Sequence, residues 1–109
     1  MRRLRIATVA AISAGALLLA LPTSADAAIG EFLYKVGPGL PQGLTNPPSG
    51  ECINLPGTTD DDPAHSPRNL TLSAATIYLD FDCEGTAVDV LAPGGIRGQQ
   101  VQFRSVRFS

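Results

Sequence analysis

Apolar and polar positions along this chain alternate in short runs, and no window carries a helical period. Phe32–Val36 (Phe-Leu-Tyr-Lys-Val) is aromatic and β-branched enough for a first strand. Glu51–Leu55 alternates, with Cys52 and Asn54 on one face and Ile53 and Leu55 on the other. Arg68–Leu72 is a short strand, and Thr76–Asp80 and Thr86–Leu91 form a hairpin that turns through Cys83-Glu84-Gly85, with Ala87 pointing opposite Val88 and Val90. Val101–Phe108 reads as one alternating strand: Val101, Phe103, Ser105 and Arg107 face one way, Gln102, Arg104, Val106 and Phe108 the other. Between these runs, Gly37–Gly43 is too rich in Gly and Pro for an interior strand and reads as a turn-bearing loop. Asn46–Gly50 is a second break, Pro56–Pro67 the longest irregular segment, Ala92–Gly95 a turn and Ile96–Gln100 a loop. Turn signals at intervals of about 8–12 residues predict an all-β sandwich or barrel.

A weak internal repeat crosses this order. Tyr34, Gly43, Leu55-Pro56-Gly57 and Ser66-Pro67-Arg68 are echoed by Tyr78, Gly85, Leu91-Ala92-Pro93-Gly94 and Ser105-Val106-Arg107. Each half reads as strand, Gly-bearing hairpin, strand, Pro-Gly turn, loop and last strand, which predicts a pair of four-strand Greek keys.

The N-terminus changes which residues belong to that domain. Arg2, Arg3 and Arg5 precede the apolar run Ile6–Leu21, Pro22 breaks the helix, and Ala25-Asp26-Ala27 offers small residues for cleavage. This is the pattern of a secretory signal peptide over residues 1–27, and the apolar run falls short of the ~20 residues that a bilayer requires. Cleavage would release one domain, residues 28–109, with no membrane anchor. It carries five basic residues (Lys35, Arg68, Arg97, Arg104, Arg107) against nine acidic ones (Glu31, Glu51, Asp60, Asp61, Asp62, Asp80, Asp82, Glu84, Asp89), a net charge of −4. That balance argues against nucleic acid or an anionic membrane as partner. Cys52 and Cys83 are the only cysteines, and export would take them into an oxidising setting. A structural disulfide is the expectation; a metal site would need more ligands nearby, and a redox pair would favour Cys-x-x-Cys spacing.

The hairpin resembles that of the βγ-crystallin superfamily in its small secreted bacterial form. Tyr78, then Leu-Asp-Phe-Asp, then Cys83, Glu84 and Gly85 follow the family's aromatic–x4–aromatic–x–Gly spacing, with Cys83 in the second aromatic position, and Ser105-Val-Arg-Phe108 is similar to its last strand. The match covers Ala75–Phe108 and is loose over Ile29–Leu72. The resemblance implies a small sandwich of two Greek keys, a fold specified by Tyr78, Gly85 and Ser105, and a disulfide joining a strand of the first unit to the hairpin of the second. It also implies a Ca²⁺ clamp before the last strand of each unit. Asp61, Asp62 and Ser66 match the first clamp at three positions, but His65 stands where a hydroxyl ligand belongs; the second, Gln100–Ser105, lacks a carboxylate and has Arg104 at the ligand position. Ca²⁺ takes six to eight oxygen ligands, so the clamp is degenerate.

The remaining candidates for chemistry are thin. His65 beside Asp62 and Ser66 lacks a scaffold for a hydrolytic triad, and the chain has one histidine. Leu55-Pro56-Gly57-Thr58 mimics a cell-wall sorting signal, but Thr59 follows in place of Gly. Asn69-Leu70-Thr71 fits the N-glycosylation pattern. The expectation is a small, secreted, monomeric, non-enzymatic β module without a known partner. The alternative is a secreted inhibitor of proteases, presenting Gly37–Gly43 or Asp60–Pro67 as its rigid loop.

Overall fold

The structure, a computed structural model, describes residues 27–109; nearly all of the expected leader, residues 1–26, lies outside the described residues. Eight strands follow in chain order: β1 (Gly30–Val36), β2 (Leu40–Thr45), β3 (Cys52–Asn54), β4 (Ala64–Thr71), β5 (Ala75–Tyr78), β6 (Ala87–Leu91), β7 (Gln102–Phe103) and β8 (Ser105–Phe108). They form two four-stranded antiparallel sheets, in the order β2-β1-β4-β7 and β3-β8-β5-β6. The all-β expectation holds. The third strand of each run of four crosses over: β3 pairs with β8, and β7 pairs with β4.

The alternation in β1 sets the core. Phe32, Tyr34 and Val36 point inward and are buried, while Glu31 and Lys35 face solvent. The second sheet answers with Ala75, Ile77, Leu91, Val106 and Phe108, all fully buried. Phe32 is the hub of an aromatic cluster, edge-on to Phe103 at 6.1 Å and to Phe108 at 5.4 Å between ring centroids. Such pairs stabilise by about 0.5–1.5 kcal/mol beyond the area they bury.

Four predicted boundaries are corrected. Gly37–Gly43 is not a loop throughout: the turn is Gly37–Gly39, and Leu40–Thr45 is strand β2, with Pro41 opposite Lys35 and Gly43 opposite Leu33. Pro41 is tolerated because β2 is an edge strand, where a missing N–H breaks no ladder to a further neighbour. The strand predicted at Arg68 begins at Ala64, inside the segment read as irregular. Pro67 sits in that interior strand just past a bulge, where Ser66 takes φ 54° and the register to β1 slips between Leu33 and Lys35. The hairpin strand stops at Tyr78 and passes into a short 3-10 turn, Phe81–Cys83. Finally, Val101–Phe108 is two strands in two sheets, broken at Arg104. Phe103 and Phe108 fall on opposite faces of a continuous strand, and both are buried only because the chain changes sheet between them.

The expected disulfide is formed. Cys52 in β3 is bonded to Cys83 in the 3-10 turn, with Cα atoms 5.9 Å apart. Beside it Asn54 and Asp82 bond reciprocally: the Asp82 N–H donates to Asn54 Oδ1 at 2.7 Å and Asn54 Nδ2 donates to Asp82 Oδ1 at 2.9 Å. Covalent and polar links thus fasten the three-residue β3 to the hairpin of the second run. The bridge closes a loop with a sequence separation of 31, so its loss should cost about 3 kcal/mol or somewhat more. A C52A/C83A variant is expected to lower the denaturant-unfolding free energy by that amount, with the wild type matching it under reducing conditions.

Candidate functional site

The hairpin residues singled out from the sequence meet at one place. Ser105 Oγ donates to the Asp80 carbonyl and accepts the Cys83 N–H at 2.9 Å, and the Tyr78 carbonyl accepts the Arg104 N–H at 2.8 Å. Gly85 takes φ 77°, a left-handed angle that glycine adopts at little cost. This cluster folds the hairpin.

Arg104, at the crossing between β7 and β8, holds the opposite loop. Its Nε donates to the Thr59 carbonyl at 3.0 Å, Nη1 to the Leu79 carbonyl at 3.1 Å, and Nη2 to the Asp60 carbonyl. One planar guanidinium satisfies carbonyls from two distant segments, a task suited to its fixed fork of donors. The loop it reaches is braced internally as well: Thr59 N–H donates to the Asp62 carbonyl at 3.0 Å, and Asp62 N–H to Thr59 Oγ1 at 3.0 Å.

His65 occupies the matching position at the head of β4, just before Ser66, as Arg104 stands just before Ser105. Its ring Nε2 is 2.9 Å from the Gly37 carbonyl, and Nδ1 is 2.9 Å from Ser66 Oγ. A carbonyl only accepts, so Nε2 carries the proton, and in the neutral ring Nδ1 accepts from the Ser66 hydroxyl. The ring reaches only the adjoining β1–β2 turn, and the seam beside it stays open. A cleft of about 440 Å³ lies there, lined by Lys35, Gly37–Gly39, His65, Ser66, Gln99 and Gln102.

Of the sequence-derived Ca²⁺ residues, Ser66 lines this cleft and the Asp62 carboxylate lies by Gly37 at its edge. Asp61 and Asp62 are exposed in the braced loop, and the Ser66 hydroxyl is turned to His65. Among the described residues no three His, Cys, Asp or Glu side chains gather so as to hold a metal. At the second clamp the Arg104 guanidinium is bound to the Thr59, Asp60 and Leu79 carbonyls. The His65–Ser66 contact is a base next to a hydroxyl, yet a backbone carbonyl rather than a carboxylate orients the ring.

Two polar residues matter more than their sequence context suggests. Asn69, in the glycosylation pattern, is fully buried; its Nδ2 donates to the Ser73 and Leu91 carbonyls at 2.8 and 3.0 Å, and its Oδ1 accepts from the Thr71 N–H and hydroxyl. It ties the two sheets together and is closed to a glycosyl group. An Asn and a Thr facing the same way in Arg68–Leu72, with two leucines facing the other, was the available signal. Tyr34 is also buried, and its hydroxyl donates to the Pro56 carbonyl at 2.8 Å. Comparison with protein-family models, curated proteins and solved structures gives no match.

Two outcomes follow. Removing the guanidinium in R104A should destabilise the domain by about 1–2 kcal/mol, the order of one or two hydrogen bonds from a charged donor, and speed amide exchange across Thr59–Asp62. R104K should restore only part, since an ammonium cannot span three carbonyls. Burial pushes the Tyr34 phenol up to about 12. Because the fold favours the neutral phenol, this stabilisation is complete below the unfolded value near 10 and is lost as pH rises towards 12. Unfolding free energy measured across that window should fall in the wild type, and Y34F should lack that component.

Proposed function

We propose that this chain is a small secreted, non-enzymatic recognition module with a βγ-crystallin-like pair of Greek keys. The strand order supports that reading. In each run of four the fourth strand returns beside the first (β4-β1-β2 and β8-β5-β6), which is the return path of a Greek key, with the third strand lent to the other sheet. Secretion is supported by the leader pattern of residues 1–27 and by a disulfide suited to an oxidising compartment. Among the described residues no helix is long and apolar enough to cross a membrane. The module acts as a monomer, and its rigidity rests on crosslink, braced loop and shared core rather than on bound Ca²⁺.

The second reading, a protease inhibitor, rests on the loop Thr58–Pro63. Asp60 and Asp61 project into solvent while Arg104 and Thr59 hold the backbone behind them. A preset exposed loop lowers the ordering cost of entering a protease cleft. With β2 formed, only the Gly37–Gly39 turn remains of the other candidate loop.

The purified protein is expected to leave serine and metalloproteases uninhibited at micromolar concentration and to give no calorimetric heat with millimolar Ca²⁺. Sub-micromolar inhibition abolished by replacing Asp60–Asp62 would install the inhibitor reading instead. Ester or peptide hydrolysis abolished by S66A would sink the non-enzymatic one.

A further inference from the structure

The open seam belongs to a longer groove on the outward face of the first sheet. Cross-strand register sets Pro41, Lys35, His65 and Gln102 in one row across all four strands. The next row carries Gly43, Leu33 and Arg68, with Ile96 bridged to Arg68. A second hollow of about 210 Å³, lined by Leu33, Tyr34, Lys35, Pro41, Gln42, Ser66 and Arg68, shares Lys35 and Ser66 with the first. The two hollows adjoin across Lys35 and Ser66.

The charge in this groove is opposite to that of the chain. Among the described residues no carboxylate lines either hollow, although acidic residues outnumber basic ones. Arg97 is held by Asp89 at 2.7 Å and Arg104 by three carbonyls. Lys35 and Arg68 form no ion pair among the described residues, and both are exposed on this face. Glu31 lies further along β1, and the Asp62 carboxylate lies by Gly37.

The geometry points to an extended acidic peptide as the occupant, a ligand class that rests on reading the domain as a recognition module. Arg68 lies opposite Leu33, two residues along β1 from Lys35, so the two cations are offset by about 7 Å along the strand direction. Carboxylates at alternate positions of an extended peptide repeat at the same interval. Gln42, Gln99 and Gln102 each offer a donor and an acceptor, which suits the N–H and C=O groups of a peptide backbone. Leu33, Pro38 and Pro41 supply the apolar floor. The equivalent seam at Arg104 is closed by the protein's own cation, whereas at His65 the cations stand at the rim with no partner.

Fluorescence anisotropy with labelled Gly-Glu-Gly-Glu-Gly at low ionic strength tests the groove. The peptide should bind, and its Gln analogue and the K35A/R68A variant should each weaken binding by about three- to thirtyfold, as two solvent-exposed charge contacts allow. K35R/R68K should retain binding, R107A on the other sheet should be silent, and thermal unfolding should show all variants folded. Equal binding of the Gln analogue, no loss in K35A/R68A, or displacement by inorganic phosphate at the peptide's own concentration would overturn the proposal. Loss of binding in D60S/D61S/D62S but not in K35A/R68A would overturn the groove while leaving a recognition module that uses its braced loop.

Discussion

Neither half of this chain can complete its own sheet. The first four strands supply three to one layer and surrender β3 to the other; the second four do the same with β7. The exchange makes the core indivisible. Phe103 arrives on the lent strand β7 and meets Phe32 and Tyr34 of β1, while Phe108 reaches Phe32 from the facing sheet. A domain this short buries a modest apolar area, and neither half alone would bury enough to fold. The disulfide acts at the weakest point of the exchange, since β3 is three residues long and its pairing with β8 gives few ladder bonds to hold it.

The same exchange explains what could be read from the sequence. Alternation exposed β1, the β5–β6 hairpin and the pairing of the only two cysteines, because these depend on local pattern or on arithmetic. It failed where the chain uses a local exception for a distant reason. Leu40–Thr45 carries Pro and Gly and is still a strand, because it lies at an edge and packs Gly43 closely over Leu33, whose Cδ2 lies 3.0 Å from where a Cβ would stand. Ala64–Pro67 becomes a strand only because a left-handed Ser66 absorbs one residue of register. In Val101–Phe108 the apolar residues shift from odd positions (Val101, Phe103) to even ones (Val106, Phe108), a change of phase at Arg104–Ser105 that marks the change of sheet and that a reading as one strand passes over.

The C-terminal end of β4, with Leu72 just after it, inverts the usual sorting of residues. Asn69 and Thr71 are buried, while Leu70 and Leu72 are 43% and 75% exposed. Burying an amide without partners would cost several kcal/mol, but every polar atom of Asn69 is engaged, including its backbone N–H and C=O with Gly95 and Gly94. Through it, β4 holds the end of β6 and the 92–95 turn and so ties the two sheets together, whereas the disulfide fastens β3 to the hairpin within the second sheet. The tight approach of β1 to β4 agrees with this: a Cβ at Gly30 would collide with the Leu70 carbonyl oxygen. A hydrophobic pair could fill the same volume, but it could not direct the carbonyl and amide groups of three segments.

What distinguishes the two ends of the sandwich is therefore one residue at equivalent positions. Arg104 is long enough to cross its seam and bind the backbone of the opposite loop, and in doing so it makes that loop part of the rigid frame. His65 is too short to cross; it turns to the Gly37 carbonyl in the adjoining β1–β2 turn, and the seam stays open behind Gln99 and Gln102. The other charged side chains divide in the same way, according to whether a partner is in reach. The Arg97 guanidinium and the Val90 N–H hold the Asp89 carboxyl below its ordinary range, whereas the basic side chains around the open seam face water. A fold built on near-equivalent halves thus becomes one-sided through side-chain length, with one seam bound into the frame by Arg104 and the other open to solvent.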